Sequence, residues 1–274
     1  MTDVPPIPAA VLANVQQRWP DVAESWAGRA GAELRALCDL YQATPRAVLP
    51  ARYGFVVAVE TPDGPLVLRG SPDPHGPDQA AVATALAGLG ISPTVRQTLT
   101  FDHGTWTVLD RVQPGTSLYQ ADPSTVSLEA LFVPLAAMRY QPPPHAEMPS
   151  LIDWLRSRLE ADHLIDLRAG ATVAPPGDRE AALMELAELA RDHTPGLCHA
   201  DASLGNIIAS GTCEWKYIDP RGMAGECAYD VAVLAIRVAR FRDSPGLVRH
   251  VAKLAEVAPE RVEAWMTIAD TARV

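Results

Sequence analysis

Lysine is almost missing from this chain. It occurs at Lys216 and Lys253, and the rest of the positive charge is arginine. Chemistry that needs a lysine ammonium in the first 200 residues is therefore excluded. Positive charge is short overall: 23 Lys+Arg against 33 Asp+Glu leave a formal net charge of −10. A nucleic-acid partner calls for a basic face, so none is expected. The same excess suits a cationic small molecule. Long hydrophobic runs are also missing. No stretch approaches the roughly 18 apolar residues of a membrane-spanning helix, and MTDVPPIPAA has neither the basic nor the apolar region of a secretory leader. No membrane partner and a cytoplasmic location are the expectation. Cysteine is scarce: Cys38, Cys198, Cys213 and Cys227 form no CxxC pair and no zinc spacing, so they read as reduced thiols. Apolar residues are plentiful, at 48% against 20% charged over 274 residues. That excludes a disordered chain and fits one large domain or two lobes sharing a cleft.

Periodicity divides the chain in three. From Ile7 to Tyr41 apolar residues recur at three- and four-residue spacing, broken at Pro20, with Asp21 as the expected cap of the second helix. Short β-branched runs follow at Ala47–Glu60 and Leu66–Gly70, with TPDGP between them. An Asp-Gly pair in that position signals a hairpin. The Pro- and Gly-rich SPDPHGPD leads into an alanine-rich helix at Gln79–Leu86. Two more strands, Thr94–Phe101 and Thr105–Val112, turn at Asp102-His103-Gly104. After Gln113-Pro114-Gly115 helical periodicity dominates: Leu128–Met138, Leu151–Leu167, Arg179–Asp192, Tyr229–Ala239, Leu247–Val257 and Pro259–Ala272. A β-like stretch, Asn206–Ile218, interrupts it. Strands and helices in separate blocks indicate an α+β fold.

The chemistry concentrates in LCHADASLGNIIASGTCEWKYIDPRGMAGECAYDVA, residues 197–232. His199-x-Asp201, with Asn206 five residues later, has the spacing of a kinase catalytic loop, and Asp219 ends the strand that follows. Phosphoryl transfer needs Mg²⁺, a hard cation that takes oxygen ligands, and Asn206 and Asp219 can supply them from one hairpin. Asp201 can accept or align the proton of a substrate hydroxyl. His199 reads as a brace for the loop.

This run resembles the aminoglycoside phosphotransferase and choline-kinase-like superfamily, whose usual form is H-G-D-x-x-x-x-N followed by I-D-x. Ile218-Asp219-Pro220-Arg221-Gly222-Met223-Ala224-Gly225-Glu226 and Ala228-Tyr229-Asp230-Val231-Ala232 are most similar to the streptomycin 6-kinase and hydroxyurea phosphotransferase branch. TPDGPLVLRG at 61–70 and TVLDRVQPGTSL at 107–118 resemble the family's D-G-x-x-x-V-L-K hairpin and its hinge. The resemblance implies a bilobal protein-kinase-like fold, with a small β-rich lobe within residues 1–112 and a helical lobe over 113–274. It implies an ATP- and Mg²⁺-dependent O-phosphotransferase, GTP being an open alternative, working as a monomer or homodimer. Its hydroxyl-bearing acceptor would be a small cationic molecule such as a streptomycin-like aminocyclitol, which would make the activity one of antibiotic resistance.

Residue by residue, Asp201 takes the catalytic position and Asn206 and Asp219 the metal positions. Arg69 stands where the family has its phosphate-binding lysine. The family's partner glutamate is missing, and Asp78 or Gln79 would have to replace it. The backbone of Leu109–Val112, including Asp110 and Val112, would meet the adenine edge, with Val57, Leu68 and Ile208 around the ring. Ser203, Glu226 and Asp230 are the residues expected toward the acceptor, Asp230 reading chiefly as a structural brace. Ala200 replaces the motif's glycine. A nucleotide-binding pseudokinase or regulatory module without transfer activity is the alternative, suggested by the missing lysine and glutamate.

Overall fold

The computed structural model describes residues 4–121, 126–167, 170–242 and 244–274. The fold is α+β, and the chain forms two compact units: Met1–Ala80 with Pro93–Arg111, and Ala81–Ser92 with Val112–Val274. The second unit thus takes up residues 81–92, ahead of the expected change at residue 112. The reason is packing, because Val82, Leu86 and Ile91 are buried in the helical core.

In the first unit, α1 (Ala9–Arg18) and α2 (Pro20–Leu40) precede β1 (Thr44–Leu49), β2 (Phe55–Thr61), β3 (Gly64–Ser71), the start of α3 (Gly76–Gly88), β4 (Val95–Phe101) and β5 (Gly104–Asp110). Pro20 opens α2 with Trp19 as the flanking cap residue, and Asp21 lies in the first turn instead of capping it. A proline lacks only an N–H that would go unused there. The run Ala47–Glu60 divides into β1 and β2, which pair antiparallel. The β2–β3 hairpin turns at Pro62-Asp63, and Gly64, with φ +120°, opens β3 opposite Thr61, so the expected Asp-Gly pair straddles the end of the turn.

The five strands form one antiparallel sheet in the order β1-β2-β3-β5-β4. Strand alternation then fixes its faces. Phe55, Val57, Val59, Leu66, Leu68, Trp106 and Val108 pack with Val11, Val15, Trp26 and Leu34 of α1 and α2 into one buried core. Glu33 of α2 pins the helix to the sheet: one carboxylate oxygen accepts from Trp106 Nε1 at 2.7 Å, the other from His103 Nε2 at 2.6 Å.

The second unit holds the rest of α3, β6 (Pro114–Ser117), α4 (Leu128–Phe132), a 3-10 helix (Val133–Met138), α5 (Leu151–Glu160), α6 (Pro176–Arg191), β7 (Gly196–Leu197), β8 (Ile207–Ser210), β9 (Glu214–Tyr217), β10 (Ala224–Gly225), α7 (Cys227–Ala239), α8 (Leu247–Leu254) and α9 (Pro259–Thr271). Pro134, near the start of the 3-10 helix, lacks the N–H that would carry α4 onward, so the expected single helix over 128–138 becomes two pieces. The helix expected to reach Leu167 stops at Glu160. Helix α7 is buried on nearly every side and packs against α9. Around it lie Leu131, Phe132, Leu155, Tyr217 and Trp265.

Two small sheets, β6-β8-β9 and β10-β7, hold the segments on either side of the His199–Asn206 stretch. Gly225 of β10 leaves room for nothing larger. A Cβ there would meet Cys198 Sγ and Leu151 Cδ2 at 2.6 Å. Gly225→Ala should therefore cost about 2 kcal/mol, the usual scale of overpacking. Gly205→Ala, with nothing within 4 Å of the added carbon, should stay within about 0.5 kcal/mol of the native chain. Urea midpoints of the two variants compare them directly, and equal midpoints would count against this packing.

Candidate active site

The segment after β7 turns sharply at Ala200, whose φ of +62° lies in the left-handed region. Glycine adopts that conformation freely and alanine does not, which accounts for the glycine of the usual motif. The strained turn is held from below. Asp230, in the first turn of α7 and fully buried, accepts the backbone N–H of His199 at 2.8 Å with one carboxylate oxygen and that of Ala200 at 2.8 Å with the other. Burial pushes the Asp230 carboxyl up to about 7, against the pull of those two N–H donors.

His199 links the loop to the end of the β8–β9 hairpin. Its Nε2–H donates to the Ile218 carbonyl at 3.0 Å, and its Nδ1 accepts the Asp201 N–H at 3.3 Å. Those partners assign the neutral tautomer. Burial depresses the imidazole's affinity for a second proton, the nearby carboxylates Asp201 and Asp219 notwithstanding. His199 is thus fully engaged in holding the loop.

Asp201 points its carboxylate outward, about 30% exposed. Ser203 completes a tight turn: its N–H donates to the Asp201 carbonyl at 2.7 Å, and its carbonyl accepts from the Asn206 N–H at 3.0 Å. The Asn206 side-chain amide then donates to the same Asp201 carbonyl at 3.1 Å, so its oxygen is the atom that could serve a metal. The Ile218 N–H donates to the Asn206 carbonyl at 2.8 Å, so Asn206 is paired with the residue that precedes Asp219. Asp219 has φ +59° and is exposed.

Arg221 is the site residue that the sequence reading passed over. Its Nη2 donates to Asp201 Oδ2 at 3.1 Å, its backbone N–H to the His199 carbonyl at 2.9 Å, and its guanidinium lies 4.5 Å from the centre of the Trp154 ring. Burial is the largest influence and works against its charge, but Asp201, Tyr229, Asp166 and Asp219 together outweigh it and keep the guanidinium protonated. The signal available was one arginine inside I-D-P-R-G, in a chain where arginine is the standard cation.

Several expected residues have other roles. Glu226 accepts from Arg261 Nε and Trp265 Nε1, both at 2.6 Å, and His193 lies 3.6 Å away. Burial raises its carboxyl, yet these partners win and hold it below the ordinary range. It ties α9 to the start of α7 and so serves as a brace, not as the expected contact to the acceptor. Asp230, buried beneath the loop, is likewise removed from the acceptor side.

In the first unit, Arg69 projects from the sheet face opposite α1 and α2, alongside Val56, Ala58, Val67, Thr107 and Leu109. Val57 and Leu68 have the other parity and lie in the core under the helices. They cannot line a site beside Arg69; Val56 and Val67 are the apolar residues of β2 and β3 that share its face. Of the two residues left open as partners, Gln79 accepts from Arg69 Nη2 at 3.1 Å, and Asp78 lies 3.3 Å from His75 Nδ1. The Asp110 N–H is spent on the Thr94 carbonyl at 2.9 Å, and its side chain pairs with Arg96 at 2.7 Å. Only its carbonyl could face a base. Val112 is the first residue of its stretch of the second unit. Ile208 is half-buried on β8 beside the fully buried Ile207.

A profile of the phosphotransferase enzyme family, APH, matches residues 46–265. Among solved structures, a choline/ethanolamine kinase family protein from Mesorhizobium loti superposes with a TM-score of 0.64 at 15% identity, covering 90% of this chain and 84% of that one. Aminoglycoside phosphotransferase APH(4)-Ia gives 0.60 at 16% identity, covering 87% and 88%. Spectinomycin phosphotransferase APH(9)-Ia, solved with ADP and spectinomycin, gives 0.58 at 10% identity, covering 88% and 86%. At these identities the likeness is one of fold. No curated protein matches the chain in sequence. No helix among the described residues is long and apolar enough to cross a membrane. With a family match running from β1 into α9, over the catalytic loop and both small sheets, the chain belongs to the phosphotransferase enzyme family of small-molecule kinases.

Proposed function

We propose that the protein transfers the terminal phosphoryl group of ATP to a hydroxyl of a small molecule, an aminocyclitol of the streptomycin type. The observation that carries this reading is that Asn206 is bonded both to the Asp201 carbonyl and to the N–H of Ile218, the residue before Asp219, which gathers the three at the mouth of the β8–β9 hairpin. Asp201 accepts or aligns the acceptor's hydroxyl proton, and Arg221 fixes the carboxylate's direction. Arg69 holds the α- and β-phosphates through its planar fork.

Asn206 and Asp219 offer two hard oxygen donors. That suits Mg²⁺, which keeps waters and phosphate oxygens in its shell and needs only one or two protein ligands. Among the described residues no cluster of three or more His, Cys, Asp or Glu could hold a metal alone. When bound, Mg²⁺ neutralises the charge of the triphosphate.

Support for the acceptor class is twofold. The net charge of −10 suits a cationic ligand. Neighbours of the same fold were solved with hygromycin B and with spectinomycin. Phosphorylation of such a compound would make the protein a resistance enzyme.

The test is a coupled nucleotide-consumption assay with Mg²⁺-ATP and Mg²⁺-GTP over a panel of aminocyclitols that includes streptomycin, hygromycin B and spectinomycin. ATP consumption that requires one acceptor supports the reading; preference for GTP would correct the donor. A second reading, nucleotide binding without transfer, is favoured by the arginine at the lysine position. Retained ADP binding with no phosphorylated product from any acceptor would establish it.

A further inference from the structure

The Pro- and Gly-rich stretch SPDPHGPD, residues 71–78, does more than connect β3 to α3. Ser71 is buried at the end of β3, and its Oγ accepts the Asp73 N–H at 3.2 Å. Asp73 Oδ1 accepts the His75 N–H at 2.9 Å. Gly76 seats the start of α3 against β5, where an added Cβ would come within 2.7 Å of Thr105. Asp73 is thereby fixed, and it passes its order on. Its Oδ2 accepts from Gln79 Nε2 at 2.9 Å, and Gln79 Oε1 accepts from Arg69 Nη2 at 3.1 Å.

The chain of bonds has a direction. A carboxamide accepts at one end and donates at the other, which is what a carboxylate on one side and a guanidinium on the other require. A glutamate in this position would satisfy Arg69 but turn a second carboxylate toward Asp73, at a distance where like charges repel. We propose that Asp73 and Gln79 are positioning residues, a relay of fixed hydrogen-bond polarity that aims Arg69 at the nucleotide's diphosphate and demands an amide at position 79. The proposal rests on the assignment of Arg69 as phosphate clamp.

Titration calorimetry of the full chain with ADP and with adenosine, each in the presence of Mg²⁺, tests it without any turnover. Gln79→Glu is expected to weaken ADP about tenfold, the scale of one charged hydrogen bond lost, and to leave adenosine unchanged. A merely structural role would move both ligands together. Gln79→Leu should behave in the same way and serves if Gln79→Glu fails to fold. Pairing Gln79→Glu with Asp73→Asn restores a donor opposite the new carboxylate and should recover most of the ADP affinity. An ADP-over-adenosine ratio in both single variants equal to that of the native chain, or a double variant no better than Gln79→Glu alone, overturns the relay. A native chain that prefers ADP but is indifferent to Arg69→Ala overturns the clamp and the relay with it. A native chain that binds neither ligand overturns the nucleotide reading itself.

Discussion

Asp201→Asn is expected to remove acceptor-dependent phosphate transfer, lowering turnover roughly 10²–10⁴-fold, the range supplied by one proton-handling group. The substitution is nearly isosteric. An asparagine would turn its amide oxygen to Arg221, which donates to Oδ2 in the native chain at 3.1 Å. Its NH₂ would then occupy the place of the other carboxylate oxygen. A hydroxyl approaching there would meet a donor where it needs an acceptor, so alignment fails together with proton transfer. The backbone of Asp201 keeps its bonds to His199, Ser203 and Asn206. Stability should change by only about 1 kcal/mol, since the ion pair with Arg221 is partly open to solvent. The measurement is steady-state turnover beside ADP affinity and a thermal melt. An unchanged rate would sink the assignment of Asp201, and loss of ADP binding would mean that the variant had disturbed more than the reacting atoms.

How much of this was legible in the sequence differs by element. The spacing of His199, Asp201, Asn206 and Asp219 was visible because local structure sets it: a tight turn and a short hairpin, with two side-chain oxygen donors in fixed order. The β2–β3 hairpin was visible in TPDGP for the same reason, although its turn falls on Pro62-Asp63. Non-local relations were not. Strand β6, Pro114–Ser117, contains Pro and Gly and has no alternating apolar pattern, and it becomes a strand because β8, some ninety residues later, pairs with it. Alternation in β2 defines two faces but does not say which one α1 and α2 will cover, so Val57 was placed on the wrong side. Arg221 reaches Asp201 because the backbone reverses at Asp219, at positive φ, and then bonds through the Arg221 N–H to the His199 carbonyl. Spacing alone carries no trace of that reversal. Glu226 drew notice for its place in the motif, but its partners Arg261 and Trp265 come from the last helix.

Asp230→Ala should be the most destabilising of these changes, at about 3 kcal/mol, because it leaves the N–H groups of His199 and Ala200 buried without an acceptor. The same loss should slow turnover. A left-handed non-glycine residue persists only where its surroundings over-determine it, and the Asp230 carboxylate supplies that constraint at Ala200. ADP affinity should fall less than turnover, because the proposed clamp Arg69 lies on β3 and not on this loop.

The effect should also depend on pH. Burial raises the folded-state carboxyl to about 7, above the roughly 3.9 of an unfolded aspartate. The folded chain therefore binds this proton more tightly. The associated stability is fully present below about pH 4 and is lost as pH rises through 7. Urea unfolding of the native chain and Asp230→Ala at pH 5, 6, 7 and 8 reads this directly. The native chain's advantage should shrink as the carboxyl ionises, by up to about 1.4 kcal/mol per pH unit on the steep part of the curve. A constant difference across that range would mean that the two N–H donors keep Asp230 charged throughout. The loop would then be held by an anion, and the acidic group buried beneath it would have no part in how the protein responds to pH.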